Sequence, residues 1–166
     1  AEDGTPVLAQ FQALSEWPDG SVRWALLDFP ADVPAYGESR YVLEYGNRVH
    51  AETTKTVLVV SESDERIRVD TGGLAFAISK TSFRLFDEVR IGDRLMAGPG
   101  DLRLVGPEGR EYAAGKPATV EIEEFGPLRT SIRVAGRFVD SAGEPWFDYE
   151  VRVHAYAGRP FVRVIH

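Results

Sequence analysis

The chain seldom runs much beyond about a dozen residues without a turn-forming pair, and between these breaks apolar and polar residues alternate one by one. LRTSIRVAGRF at 128–138 and WFDYEVRVHAY at 146–156 show the pattern best. A period of two sends successive side chains to opposite faces, as in a strand with one face buried; the i, i+3, i+4 spacing of an amphipathic helix is nearly absent. The breaks have explicit turn chemistry: Asp19-Gly20, Pro99-Gly100, Gly106-Pro107-Glu108-Gly109, Asp140-Ser141-Ala142-Gly143 and Ala157-Gly158-Arg159-Pro160. Short strands at this spacing predict an all-β sandwich or barrel.

Strands are expected at Val7–Leu14, Val22–Phe29, Tyr41–Tyr45, Thr56–Val60, Ile67–Val69, Leu74–Ser79, Phe83–Phe86, Val89–Ile91 and Arg94–Met96. Further strands follow at Leu102–Val105, Tyr112–Ala114, Thr119–Glu124, Leu128–Phe138, Trp146–Tyr156 and Phe161–Ile165. Only Phe86–Val89 and Ala31–Ala35 leave room for a short helical turn. Two polar stretches, NRVHAETTK at 47–55 and SESDER at 61–66, mark seams of the kind that separates domains, and the chain divides into parts 1–60 and 61–166.

A length of 166 residues allows one medium domain or two small ones with a real core. The net charge of −7 argues against a nucleic-acid partner, although a local arginine cluster can still meet an anionic ligand. The absence of cysteine removes disulfides, thiolate metal sites and a cysteine nucleophile together. AEDGTPVLAQ has neither a basic nor an apolar signal-type region, and no apolar run nears the roughly 18 residues of a membrane span, so no membrane partner is expected.

WPDGSVRWALLDF at 17–29 is the densest motif. Asp19-Gly20 reads as a type I′ hairpin turn, and the strand after it is apolar on both faces, as if covered on both. Trp17 and Trp24 would meet across the hairpin. The pair is either a packing anchor or a platform for a sugar ring. A phosphate loop is excluded, since one glycine leads into a strand and no helix N-terminus follows.

LAQFQAL, WPDGSVRWALLDF and YVLEYG in succession resemble the start of the exo-rhamnogalacturonan lyase / YetA-like family of secreted or cell-envelope polysaccharide lyases. IRVDTGGLAFAISK with FRLFDEV, EIEEFGPLRTSIRVAGRF and WFDYEVRVHAYAGRPFVRVIH are similar to the entry and the long paired strands of that family's central sandwich. The resemblance implies a small barrel-like (RIFT-type) N-terminal part, antiparallel β-sandwich strands after it, and an α/α toroid further on. It also implies that this chain is an N-terminal, non-catalytic portion of a longer secreted or periplasmic enzyme acting on an acidic polysaccharide such as rhamnogalacturonan. A carbohydrate-binding or purely structural interdomain module is the alternative.

The chemistry-bearing residues gather on the last strands. Arg129, Ser131, Arg133 and Arg137 share one face of 128–138; Asp148, Glu150, Arg152, His154 and Tyr156 share one face of 146–156. Joined by DSAGEP, the two strands should pair and set an arginine row against an acidic row. That row is either cross-strand ion pairing or the wall of a cleft for an anionic sugar. Elimination from a uronate needs a cation to neutralise its carboxylate, a base for the α-proton and an acid for the leaving oxygen. Arg133 or Arg152 would supply the first, and His154 or Tyr156 the others. Trp17, Trp24 and Trp146 complete the candidate substrate-binding set. Glu121, Glu123 and Glu124 read as a solvated face, and Asp70 before Thr71-Gly72-Gly73 as a turn residue. His50, His154 and His166 lack any metal-ligand spacing, so neither metal nor cofactor is expected.

Overall fold

The computed structural model describes residues 4–46, 48–49 and 55–166 and is all-β, with no α-helix among the described residues. The chain divides into two compact units, Ala1–Lys55 and Thr56–His166. Part of the polar seam at 47–55, Asn47 and His50 included, lies outside the described residues.

In the first unit β1 (Gln10–Glu16) and β2 (Val22–Asp28) form an antiparallel hairpin whose register shifts at Leu14 and at Arg23. Its turn differs from the expected type I′. Pro18 fixes a negative φ at the first central position, the Gly20 amide donates to the Trp17 carbonyl at 2.9 Å, and only Gly20 has positive φ. The result is a three-residue loop closed by Trp17 N–H to the Ser21 carbonyl at 2.8 Å. Asp19 Oδ1 accepts from the Ser21 amide (2.9 Å) and hydroxyl (2.6 Å), which holds its carboxyl below the usual range. The strand after the turn is not covered on both faces as its composition suggests: Val22 and Trp24 are 53% and 64% exposed. Tyr41–Tyr45 alternates like a strand but pairs with nothing described; Tyr41 instead packs on Phe29 (5.1 Å) and accepts the Asp32 amide.

The second unit holds two antiparallel sheets. One is a sequential meander of β3 (Val59–Glu62), β4 (Arg66–Asp70), β5 (Ala75–Ser79), β6 (Glu88–Ile91) and β7 (Arg94–Ala97). The other contains β8 (Arg103–Val105), β9 (Glu111–Ala114), β10 (Thr119–Phe125), β11 (Arg129–Val139), β12 (Pro145–Tyr156) and β13 (Val162–Ile165). Its order is β13-β12-β11-β9-β8; β10 pairs Thr130–Ala135 of β11, and β9 pairs Phe138 and Val139 further along. Ile67, Val69, Phe76 and Ile78 of the first sheet form one buried cluster with Ile132, Val134, Val151 and Val153 of the second. Each such side chain contributes about 1.5–3 kcal/mol when fully buried.

Phe83–Phe86, expected as a strand, is a loop. Leu85 takes a left-handed φ of 61°, and the loop delivers Phe83 onto the Tyr149 ring, stacked at 5.4 Å. Gly136 makes room for that tyrosine: a Cβ there would lie 2.5 Å from the Tyr149 hydroxyl, which donates to the Gly115 carbonyl at 3.1 Å. Burial pushes the phenol up to about 12.

The sheets are also fastened at one edge by Thr71, which is fully buried. Its hydroxyl accepts the amides of Gly73 (3.1 Å) and Leu74 (2.9 Å) and donates to the Arg159 carbonyl at 2.7 Å, in the turn between β12 and β13. Gly73 permits the approach, because a Cβ would come within 2.8 Å of that turn's backbone. Asp70 is a turn residue, accepting the Gly72 amide at 2.8 Å. Thr71→Val keeps the shape and strands these buried groups, each worth about 1–3 kcal/mol. We expect a loss of about 2–4 kcal/mol in urea-melt stability, against less than about 1 kcal/mol for Thr71→Ser, which keeps the hydroxyl.

Candidate functional site

The outer face of the second sheet carries the charged row. β11 and β12 pair in the register that alternation demands, with Thr130, Ile132 and Val134 buried on one side and Arg133 and Arg137 on the other. That register puts Arg133 directly opposite Arg152, a like-charge pair that costs stability unless carboxylates intervene. They do. Arg133 gives Nε and Nη2 to Glu150 (2.9 and 2.6 Å) and Nη1 to Glu121 (2.8 Å). Arg152 grips Glu123 through Nε and Nη2 (2.8 and 2.9 Å) and gives Nη1 to Glu150. All three nitrogens of each guanidinium touch a carboxylate. Three carboxylates and two guanidiniums leave the ladder with a net charge of −1.

The electrostatics follow from these bonds. Donating to Glu150 and then Glu121 raises the Arg133 pKa, donating to Glu123 and then Glu150 raises that of Arg152, and the bonds from Arg133 and Arg152 hold Glu150 below the usual range. The acidic row is therefore not only the Asp148/Glu150 row of β12. Glu121 and Glu123, which read from the sequence as a solvated face, are the other half of the clamp. The legible signal was the Gly126-Pro127 turn, which folds EIEEF back onto β11 and sets Glu121 opposite Arg133.

Toward the other end of the same face the environment is drier. Arg129 and Glu124 form an ion pair with side chains only 14% and 9% exposed. His154 lies opposite Ser131 on β11 and Arg163 on β13. Its Nδ1 and the Ser131 Oγ are buried without a hydrogen-bond partner among the described residues. Burial, then the positive charges of Arg129 and Arg163, lower the His154 pKa, against smaller opposing effects of Glu124 and Glu123. Tyr156 sits opposite Arg129 and packs on Phe161 at 5.8 Å. The structure thus brings Arg133 and Arg152 together, and His154 follows Arg152 by two residues on the same face.

Trp17 and Trp24 belong to the first unit and Trp146 to the second. No ring contact joins Trp17 to Trp24; the Arg23 guanidinium lies over Trp17 at 4.6 Å instead. Trp24 is open to solvent. Trp146 is seated on Tyr112 (4.6 Å) and Phe147 (4.4 Å), in a place where a Cβ on Gly106 would come within 2.5 Å of it. Among the described residues no three His, Cys, Asp or Glu side chains are grouped to hold a metal ion. His50 lies outside the described residues.

Two antiparallel sheets around one shared core define the second unit as a β-sandwich with an ion-paired outer face. Residues 58–166 match the PcRGLX-like protein central beta sandwich domain, and the chain belongs to that family. A Bacillus subtilis (strain 168) protein described as "Uncharacterized protein YetA" is 26% identical over 168 residues. That alignment takes in 95% of this chain and 19% of the relative, so the chain spans about a fifth of the relative's length.

Two predictions follow the electrostatics of this face. Arg133→Gln leaves Glu121 and Glu150 without their shared cation and should lower the melting temperature at low ionic strength; half-molar salt should shrink the difference. An unchanged melting temperature at low salt contradicts the ladder. His154 has a folded pKa below its ordinary 6.5, so the unfolded chain takes up the proton first. Stability should therefore fall as pH drops below about 6.5, a slope that His154→Gln reduces in urea melts.

Proposed function

We propose that the chain is a non-catalytic β portion of a longer, secreted or cell-envelope polysaccharide lyase that acts on a pectin-type acidic glycan such as rhamnogalacturonan. Membership of the sandwich family over residues 58–166 carries this reading. The charged face agrees with a supporting role. A uronate carboxylate approaching Arg133 or Arg152 meets guanidiniums already held by Glu121, Glu123 and Glu150, on a ladder whose net charge repels it. The cation, base and acid of an elimination are then supplied elsewhere in the longer protein, with the α/α toroid domain as the source and partner.

The first unit fits a barrel-like (RIFT-type) domain of which it forms a part. A two-stranded hairpin is marginal alone, and Phe11, Leu14, Val22 and Trp24 are all more than half exposed. Its open Trp24 ring favours a second reading, in which the module holds carbohydrate by stacking without chemistry.

The decisive comparison incubates residues 1–166 and the full-length protein with rhamnogalacturonan and follows the ultraviolet absorbance of unsaturated uronate ends. Absorbance should rise with the full-length protein only. A rise with residues 1–166 alone, or none with the full-length protein, overturns the reading. Tryptophan fluorescence during an oligosaccharide titration tests the second reading, which a Trp24→Ala variant that binds undiminished would sink.

A further inference from the structure

The two edges of β12 are used unequally. β11 pairs with it from Pro145 to Tyr156, whereas β13 covers only Arg152–Ala155 on the other side. Among the described residues no strand pairs the outer edge of β12 before Arg152. Yet this is where Tyr149 and Val151 enter the core, 3% and 0% exposed. Phe147 continues the alternation of Tyr149, Val151 and Val153, but it is 52% exposed. An unpaired edge beside apolar side chains is a template for another strand.

The register indicates which strand. Each step back along β12 is one step forward along β13: Ala155 faces Val162, and Arg152 faces Ile165. His166 therefore falls opposite Val151, and its ring already stands edge-on to the core residue Phe138 at 6.3 Å. We propose that the open edge of β12 is filled by a prolongation of β13, the stretch of the longer protein directly after His166, in the same antiparallel register. The second and fourth residues beyond His166 then lie over Tyr149 and Phe147 on the core side. The first and third lie beside Glu150 and Asp148 on the charged side.

A second copy of the chain is the poorer occupant. Two-fold pairing of this edge about its centre sets Asp148 against Asp148, and like charges directly opposite are destabilising. A prolonged β13 arrives with its register already fixed and at high effective concentration. The inference rests on reading the chain as part of a longer protein, in line with an alignment that covers 19% of the Bacillus subtilis relative.

The register predicts apolar residues at the second and fourth positions beyond His166; charged residues at both overturn the proposal. Hydrogen exchange on the full-length protein supplies the physical test. Amides of Trp146–Val151 that point away from β11 should exchange at least about tenfold more slowly than in residues 1–166, independently of protein concentration. Equal rates overturn the proposal, and so does protection that grows with concentration, which assigns the edge to a second copy. Aspartate at both apolar positions of the full-length protein should abolish that protection while Ile132 and Val134 in β11 stay protected. If protection persists in that variant, another segment fills the edge. If the variant unfolds entirely, the comparison with residues 1–166 decides alone. Loss of lyase activity in the full-length protein bears on the proposed function and leaves this exchange pattern unaffected.

Discussion

The register of β11 against β12 is the constraint on which the rest of the sandwich depends. Alternation assigns Ile132, Val134, Val151 and Val153 to the core, all at 0% exposure, and Arg133, Glu150 and Arg152 to the opposite face. A slip of one residue in β12 would turn Glu150 and Arg152 to the core side in place of Val151 and Val153. The burial of those charges is far more costly than any gain from the ladder itself, so the ladder acts as a register lock. β10 and β13 then add to a hairpin whose faces are already decided, and the meander of β3–β7 closes the core from the other side.

The two faces share a further consequence. The arginines that look most like ligand-binding groups are the ones the fold needs most. Arg133 and Arg152 face each other across the hairpin, and only the intervening Glu121, Glu123 and Glu150 make that tolerable. A ligand carboxylate would have to displace a structural one.

Much of the fold was legible because alternation and turn chemistry are local. The thirteen strands among the described residues all fall within three residues of the expected ranges at each end. The two surplus strands show where local signals stop. Phe83–Phe86 is apolar because Phe83 plugs the core from a loop, and the left-handed Leu85 that turns it leaves no trace in composition. Tyr41–Tyr45 alternates, but alternation does not supply a pairing partner. Asp19-Gly20 alone favours a type I′ turn, but Pro18 fixes a negative φ at the first central position and decides the type. The charged face was visible as a face; its neutralisation was not, because Glu121 and Glu123 reach Arg133 and Arg152 only once β10 is laid beside β11.

Both guanidiniums are committed to carboxylates. The Nε–H resonances of Arg133 and Arg152 report on it directly during a titration with oligogalacturonate at neutral pH. They should stay in place throughout the titration and move only when acid protonates the glutamates. A saturable shift of either resonance with the oligosaccharide at neutral pH would mean that the guanidiniums are free to take a ligand carboxylate.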